Sequence, residues 1–138
     1  MPVIYKHLLR PVLFRGNAEK VHELGLRALR TLLASESAQA AAEKHYKISG
    51  PLAVERFGLK FDNPFGIAAG FDKNAVVVDQ LAALGFGFVE VGTVTPRPQP
   101  GNEKPRMFRL PLDRALINRL GFNNEGAASA AERVKRTR

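Results

Sequence analysis

GIAAGFDKN, residues 66–74, sets a run of small or flexible residues against an acid, a base and an amide. Ala68, Ala69 and Gly70 carry almost no side chain, so a flat or phosphorylated ligand can approach their backbone and use its N–H groups. Lys73 supplies a cation able to neutralise fixed or developing negative charge on such a ligand. The same residues also read as a tight strand-to-helix turn in which Asp72 or Asn74 caps the helix and Lys73 is solvated; spacing alone favours that plainer reading. The stretch is neither a Walker loop nor a dinucleotide fingerprint.

Other chemistry-bearing residues lie further on. Thr93, in EVGTVTP, offers a hydroxyl that could reach the same ligand, although a β-branched residue there also suits a strand. RMFRLPLDRALINRLGFNNEG joins Arg106, Arg109, Arg114 and Arg119 to Asn118, Asn123 and Asn124. Guanidinium and amide groups together recognise carboxylate and imide edges. Asparagines in turns and arginines on a wet face would give the same pattern. At the N-terminus, YKHLLRPVLFR carries Lys6, Arg10 and Arg15 and no acid. It can lie on anionic lipid or cover a core.

The elements that must position these residues follow from periodicity. Residues 1–47 read as helical. NAEKVHELGLRALRTLL opens on Asn17, a good N-cap, with Glu19 in the first turn where the helix dipole favours an acid. Val21, Leu24, Ala28 and Leu32 recur at helical spacing, widened by Leu29 and Leu33. Pro11 should break or kink any helix before it. Residues 48–62 suit a hairpin or linker. From Asn63, NPFGIAA reads as a buried strand, NAVVVDQLAALG as a helix closed by Gly85, and GFVEVGTV as a second strand, which together make a βαβ unit with parallel strands. RMFRL is a further extended piece, and NNEGAASAAERVKR begins another helix.

Bulk properties narrow the classes. The chain has 138 residues, 45% of them hydrophobic, enough for one ordinary core. A complete eight-fold barrel needs roughly 250. A net charge of +8 and a pI of about 10.3 favour polyanions, phosphate ligands or an anionic membrane surface. The absence of cysteine excludes disulfides and thiolate metal sites. His7, His22 and His45 lack metal-ligand spacing. No apolar run approaches the roughly 20 residues of a membrane span, and no secretory signal is evident.

NPFGIAAGFDKN, LGFGFVEVGTVTPRPQPGNEKPRMFRLP and INRLGFNNEG, in that order, closely resemble the dihydroorotate dehydrogenase family in its membrane-associated, quinone-reducing class (class 2). The resemblance runs from about Asn63 to the end and continues more weakly back through RFGLKFDNP to NAEKVHELGLRAL. It implies an α/β fold: the N-terminal part of a (β/α)8 TIM barrel, preceded by a small helical domain. That places a helical membrane and quinone-access domain at 1–47, a hairpin or linker at 48–62, and the first βα units of an FMN-binding barrel at 63–138. It implies oxidation of dihydroorotate to orotate in pyrimidine biosynthesis, with FMN as cofactor and ubiquinone or menaquinone as acceptor. It also implies peripheral contact at the cytoplasmic face of the cell membrane.

Residue by residue, the resemblance gives FMN contacts to Ala69, Gly70, Phe71, Asp72, Lys73 and Thr93. Orotate contacts fall to Lys73 and to the run Asn118, Arg119, Leu120, Gly121 and Phe122. His22 and Arg109 match positions near the quinone tunnel. The family's base is a serine beyond residue 138, so no catalytic base and no metal are assigned here. With about two of eight βα units in the sequence, the expectation is a fragment, inactive by itself. The alternatives from other classes are a basic nucleic-acid-binding module using residues 97–119 and a non-catalytic membrane-peripheral fragment. The family reading expects no nucleic acid.

Overall fold

The computed structural model describes residues 2–48 and 52–137. The chain opens with α1 (Pro2–Ile4), a π-helical segment over Tyr5–Leu9, and α2 (Arg10–Leu13). The disturbance expected at Pro11 takes the form of a widened turn. The Arg10 N–H reaches back to the Tyr5 carbonyl. Pro11, which has no N–H to donate, sits in the first turn of α2, where none is needed. Val3, Ile4, Leu8, Leu9 and Val12 are all exposed along this stretch.

α3 (Ala18–Leu32) starts at Asn17, whose side chain accepts from the N–H groups of Glu19 (3.0 Å) and Lys20 (3.1 Å). Such a cap contributes about 1 kcal/mol. The inward face of α3 matches the expected one at Val21, Leu29 and Leu33, which are half-buried, and departs from it elsewhere. Leu24, Ala28 and Leu32 are exposed, while Ala18 and Glu19 are buried and His22, Leu26, Leu29 and Leu33 are half-buried. The phase is set by Glu19, which pairs inside the protein with Arg106. A buried carboxylate must face its partner, and the apolar stripe turns with it. α4 (Glu36–Tyr46) is capped by Ser35, which accepts from Ala38 N–H.

The hairpin expected within 48–62 is β1 (Val54–Arg56) and β2 (Leu59–Phe61), antiparallel across Phe57 and Gly58. Both turn residues have positive φ, 56° and 74°, as a type I′ turn requires. The linker's first residues, 49–51, lie outside the described residues.

The parallel unit is present but tighter than expected. β3 (Gly66–Ile67) and β4 (Phe88–Val89) pair in parallel, joined through α5 (Val78–Ala83), which packs on α4. The helix expected over residues 74–85 loses its first turn. Asp72 takes up the backbone N–H groups there, at 3.3 Å to Asn74, 2.9 Å to Val76 and 2.7 Å to Val77. Ala75, Val77, Leu81 and Ala83 form the buried core of the unit.

β5 (Met107–Leu110) realises the extended RMFRL piece. Its partner β6 (Ala115–Asn118) was not foreseen; the two pair antiparallel, Met107 opposite Asn118 and Leu110 opposite Ala115. α3 packs on β5. α6 (Ala127–Val134) follows. Before it, the buried Asn124 accepts from Gly126 N–H (2.9 Å) and Thr95 N–H (3.2 Å), and donates to the Phe122 carbonyl (2.6 Å). Asn124 and Gln99 also exchange both backbone hydrogen bonds. One asparagine thus binds the loop after β4 to the entry of α6.

Candidate functional site

β3 delivers Ala68, Ala69 and Gly70 to its carboxyl end, where all three are exposed. Gly70 has φ +100°, and nothing stands within 4 Å of the place a Cβ would occupy. Its N–H donates to the Gly92 carbonyl (2.8 Å), so this corner is anchored to the chain just beyond β4. The result is bare backbone at the carboxyl ends of two parallel strands, where α/β proteins place ligands.

Lys73 is half-buried in the next loop, and its Nζ donates to Asn123 Oδ1 at 2.6 Å. Burial holds its pKa below the ordinary 10.5, and the nearby Arg106 cation pushes the same way; Glu19 opposes both. The hairpin turns residues 118–122 toward the same place. Ala69, Gly70, Lys73, Thr93, Asn118, Arg119, Leu120, Gly121 and Phe122 all line one open cleft of about 610 Å³. Among the described residues, its cations are Lys73 and Arg119. Bare backbone, the amides of Asn102 and Asn118, the Thr93 hydroxyl and two cations suit a flat, anionic ligand bearing donors and acceptors along its edge.

Phe71 and Asp72 do not line that cleft. Phe71 meets His22 edge to face, ring centroids 5.2 Å apart, beneath α3. Asp72 is fully buried, with its carboxylate spent on the loop's backbone. This is the capping part that the plainer reading allowed it, although the helix proper starts later. His22 and Arg109 line different cavities. His22 shares one of about 450 Å³ with Ala68, Gly70 and Phe71. Arg109 lines a cleft of about 550 Å³ with Lys6, Arg10 and Arg114. There it donates to the Gly16 carbonyl (2.6 Å) and lies 4.8 Å from the centre of the Phe14 ring.

The arginines grouped by sequence do not act as one patch. Arg106 is buried and forks onto Glu19, with Nη2 at 2.6 Å and Nε at 3.2 Å from Glu19 Oε1. That hydrogen bond holds the Glu19 carboxyl below its ordinary pKa and raises that of Arg106. Arg119 donates to the Pro105 carbonyl (3.2 Å). Sequence reasoning missed Asn102, Met107 and Leu116, which also line the main cleft. Met107 and Leu116 would have followed from recognising β6; Asn102 sits in a Pro-rich loop that carries no periodic signal. Among the described residues no cluster able to hold a metal ion occurs, and no helix is long and apolar enough to cross a membrane.

A parallel βαβ unit with a small-residue corner, a flanking lysine and an amide-bearing segment opposite defines an α/β protein with an open cleft at its strand ends whose lining suits a planar anionic ligand. Comparison with known proteins makes that class specific. A family profile described as Dihydroorotate dehydrogenase matches residues 51–138, and the chain belongs to that family. It is 55% identical over 136 residues to "Dihydroorotate dehydrogenase (quinone)" of Methylococcus capsulatus, covering 99% of this chain and 39% of that protein. The protein of the same name from Christiangramia forsetii is 49% identical over 133 residues, covering 96% and 39%. A crystal structure of DHODH from Eimeria tenella in complex with ferulenol superposes with a TM-score of 0.58 at 47% identity, over 75% of this chain and 29% of that one. The chain thus spans about two fifths of the length of the curated relatives it matches.

Proposed function

We propose that this chain forms the helical entry and first βα units of a (β/α)8 barrel in a quinone-dependent dihydroorotate dehydrogenase. In this reading the protein oxidises dihydroorotate to orotate in pyrimidine biosynthesis, through FMN. The observation that carries the reading is the single cleft shared by Ala69, Gly70, Lys73, Thr93 and residues 118–122. The residues fit the flavin ring. Ala69 and Gly70 leave open backbone, with free space over Gly70, and Lys73 offers a cation beside it. Held there, FMN would supply the redox chemistry, a hydride acceptor for the substrate that a quinone can reoxidise.

The chain's own residues bind and orient. Asn118 and the 119–122 segment hold the edge of the pyrimidine. Lys73 offsets the negative charge of substrate and cofactor from a partly desolvated position, where a charge acts more strongly than in water. Asp72 keeps the Lys73 loop in shape. On the other side, α1 to α2 present exposed Val3, Ile4, Leu8, Leu9 and Val12 beside Lys6 and Arg10. Such a surface suits peripheral contact with an anionic lipid leaflet on the cytoplasmic side, from which ubiquinone or menaquinone would reach His22 and Arg109.

The test is made on the whole protein that carries these residues. Purified with FMN, it is expected to show flavin absorbance, which dihydroorotate bleaches and quinone restores. A protein that stays colourless in excess FMN and leaves dihydroorotate untouched rejects the proposal.

A further inference from the structure

The substrate segment is not held by its own hairpin alone. The Leu120 carbonyl accepts from Asn102 N–H (3.0 Å), and the Arg119 carbonyl from Asn102 Nδ2 (2.7 Å). Asn102 is itself fixed by Arg106, whose Nη1 donates to the carbonyls of Asn102 (2.9 Å) and Pro100 (2.6 Å). The Arg106 carbonyl accepts from Arg119 N–H at 2.8 Å. The Arg106 guanidinium is aimed by Glu19, which the Asn17 cap holds in the first turn of α3. Glu19 and Lys73 also line one small cavity of about 140 Å³ together with Asn123, the partner of Lys73.

We propose that Glu19 is a positioning residue for the pyrimidine site: through Arg106 and Asn102 it fixes the 119–120 backbone, and across the small cavity it supports the charge of Lys73. The proposal rests on the functional reading above and extends it to a residue of the N-terminal helices, about fifty positions before the first residue of the main cleft, Ala69. A neutral hydrogen-bonding residue at position 19 would keep the helix start and lose the fork. Arg106 would then remain a buried cation near Lys73 with its carboxylate partner gone, held by the Pro100 and Asn102 carbonyls and the field of Glu23.

The charged and titratable groups around Lys73 are Glu19, His22 and Glu23 from α3, Arg106 at the start of β5, Arg119 beyond β6, and Asp72 in its own loop. Among the described residues Glu19 is the group that raises the Lys73 pKa, so its loss lowers that pKa further. Orotate binding that needs the lysine cation is lost as pH rises through this pKa. In Glu19→Gln that loss therefore moves to lower pH.

The test measures orotate binding to the FMN-loaded whole protein against pH. Glu19→Gln is expected to bind about tenfold more weakly at neutral pH, the scale of a small displacement of orienting groups, with its alkaline limb displaced toward neutrality. Arg106→Lys keeps both charges but cannot fork; it is expected to weaken binding with the limb near its wild-type position. Leu81→Ala, a core truncation away from the site, lowers thermal stability and leaves both readouts in place. If Glu19→Gln and Arg106→Lys bind orotate as the wild type does at every pH, the inference is overturned and the functional reading stands. A wild type that binds no orotate overturns both.

Discussion

Replacing Asp72 with alanine tests the idea that this residue works on the backbone. Its carboxylate is fully buried and accepts from Val77 N–H at 2.7 Å, from Val76 N–H at 2.9 Å and from Asn74 N–H at 3.3 Å. A hydrogen bond to a charged group contributes about 1.5–3 kcal/mol. The longest of the three is counted as nothing, so the two short ones together set a range of about 3–6 kcal/mol. Water entering the vacated space re-satisfies part of this, which places Asp72→Ala near 3 kcal/mol of destabilisation. Asp72→Asn keeps one good acceptor oxygen and should lose about half as much. Urea unfolding of the whole protein measures both values, and amide hydrogen exchange locates the damage at Val76 and Val77. Stability within about 1 kcal/mol of wild type, with exchange at those two amides unchanged, would refute the reasoning.

Lys73→Met, which keeps the length and removes the charge, should weaken orotate binding by roughly 10- to 100-fold in calorimetric titration, the equivalent of one charge-assisted hydrogen bond. In the wild type the same titration should lose affinity with rising pH before the ordinary lysine value of 10.5 is reached, because burial lowers that pKa. Acid unfolding should report Glu19. Its folded pKa lies below the ordinary 4.5, so its contribution is complete above that value and fades as pH falls through the depressed one. Glu19→Gln should remove that part of the slope. Asn124→Ala should cost about 2–3 kcal/mol by leaving buried partners unmet, read as a lowered urea midpoint.

The parts legible in the sequence are those with local rules. Asn17 and Glu19 announced the start of α3, the turn residues of 48–62 announced a hairpin, and a strand–helix–strand rhythm announced the parallel pair. The small-residue corner, Lys73 and residues 118–122 were assigned from resemblance, and the fold brings them to one cleft. What stayed hidden depends on distant partners. The buried face of α3 turns on an ion pair with Arg106, and no window of helical periodicity contains that residue. The first turn of the expected α5 is missing because an aspartate's preference for backbone amides outweighs the modest helix propensity of consecutive valines. β6 escaped because ALIN alternates too briefly to read as a strand, and the Asp113–Arg114 turn before it needs a positive φ at an arginine, 51°, that composition does not signal.

Gly66 and Phe88 face each other across the parallel pair. A Cβ on Gly66 would fall 2.2 Å from the Phe88 ring, which in turn touches Phe61 of the hairpin edge to face at 5.7 Å. One phenyl group therefore fills the surface that two neighbouring side chains would normally divide. The two positions are tied in their histories: a methyl arriving at 66 collides with the ring, and a smaller residue arriving at 88 uncovers Phe61 but makes room at 66. Position 66 should therefore stay glycine for as long as a large ring stands at 88.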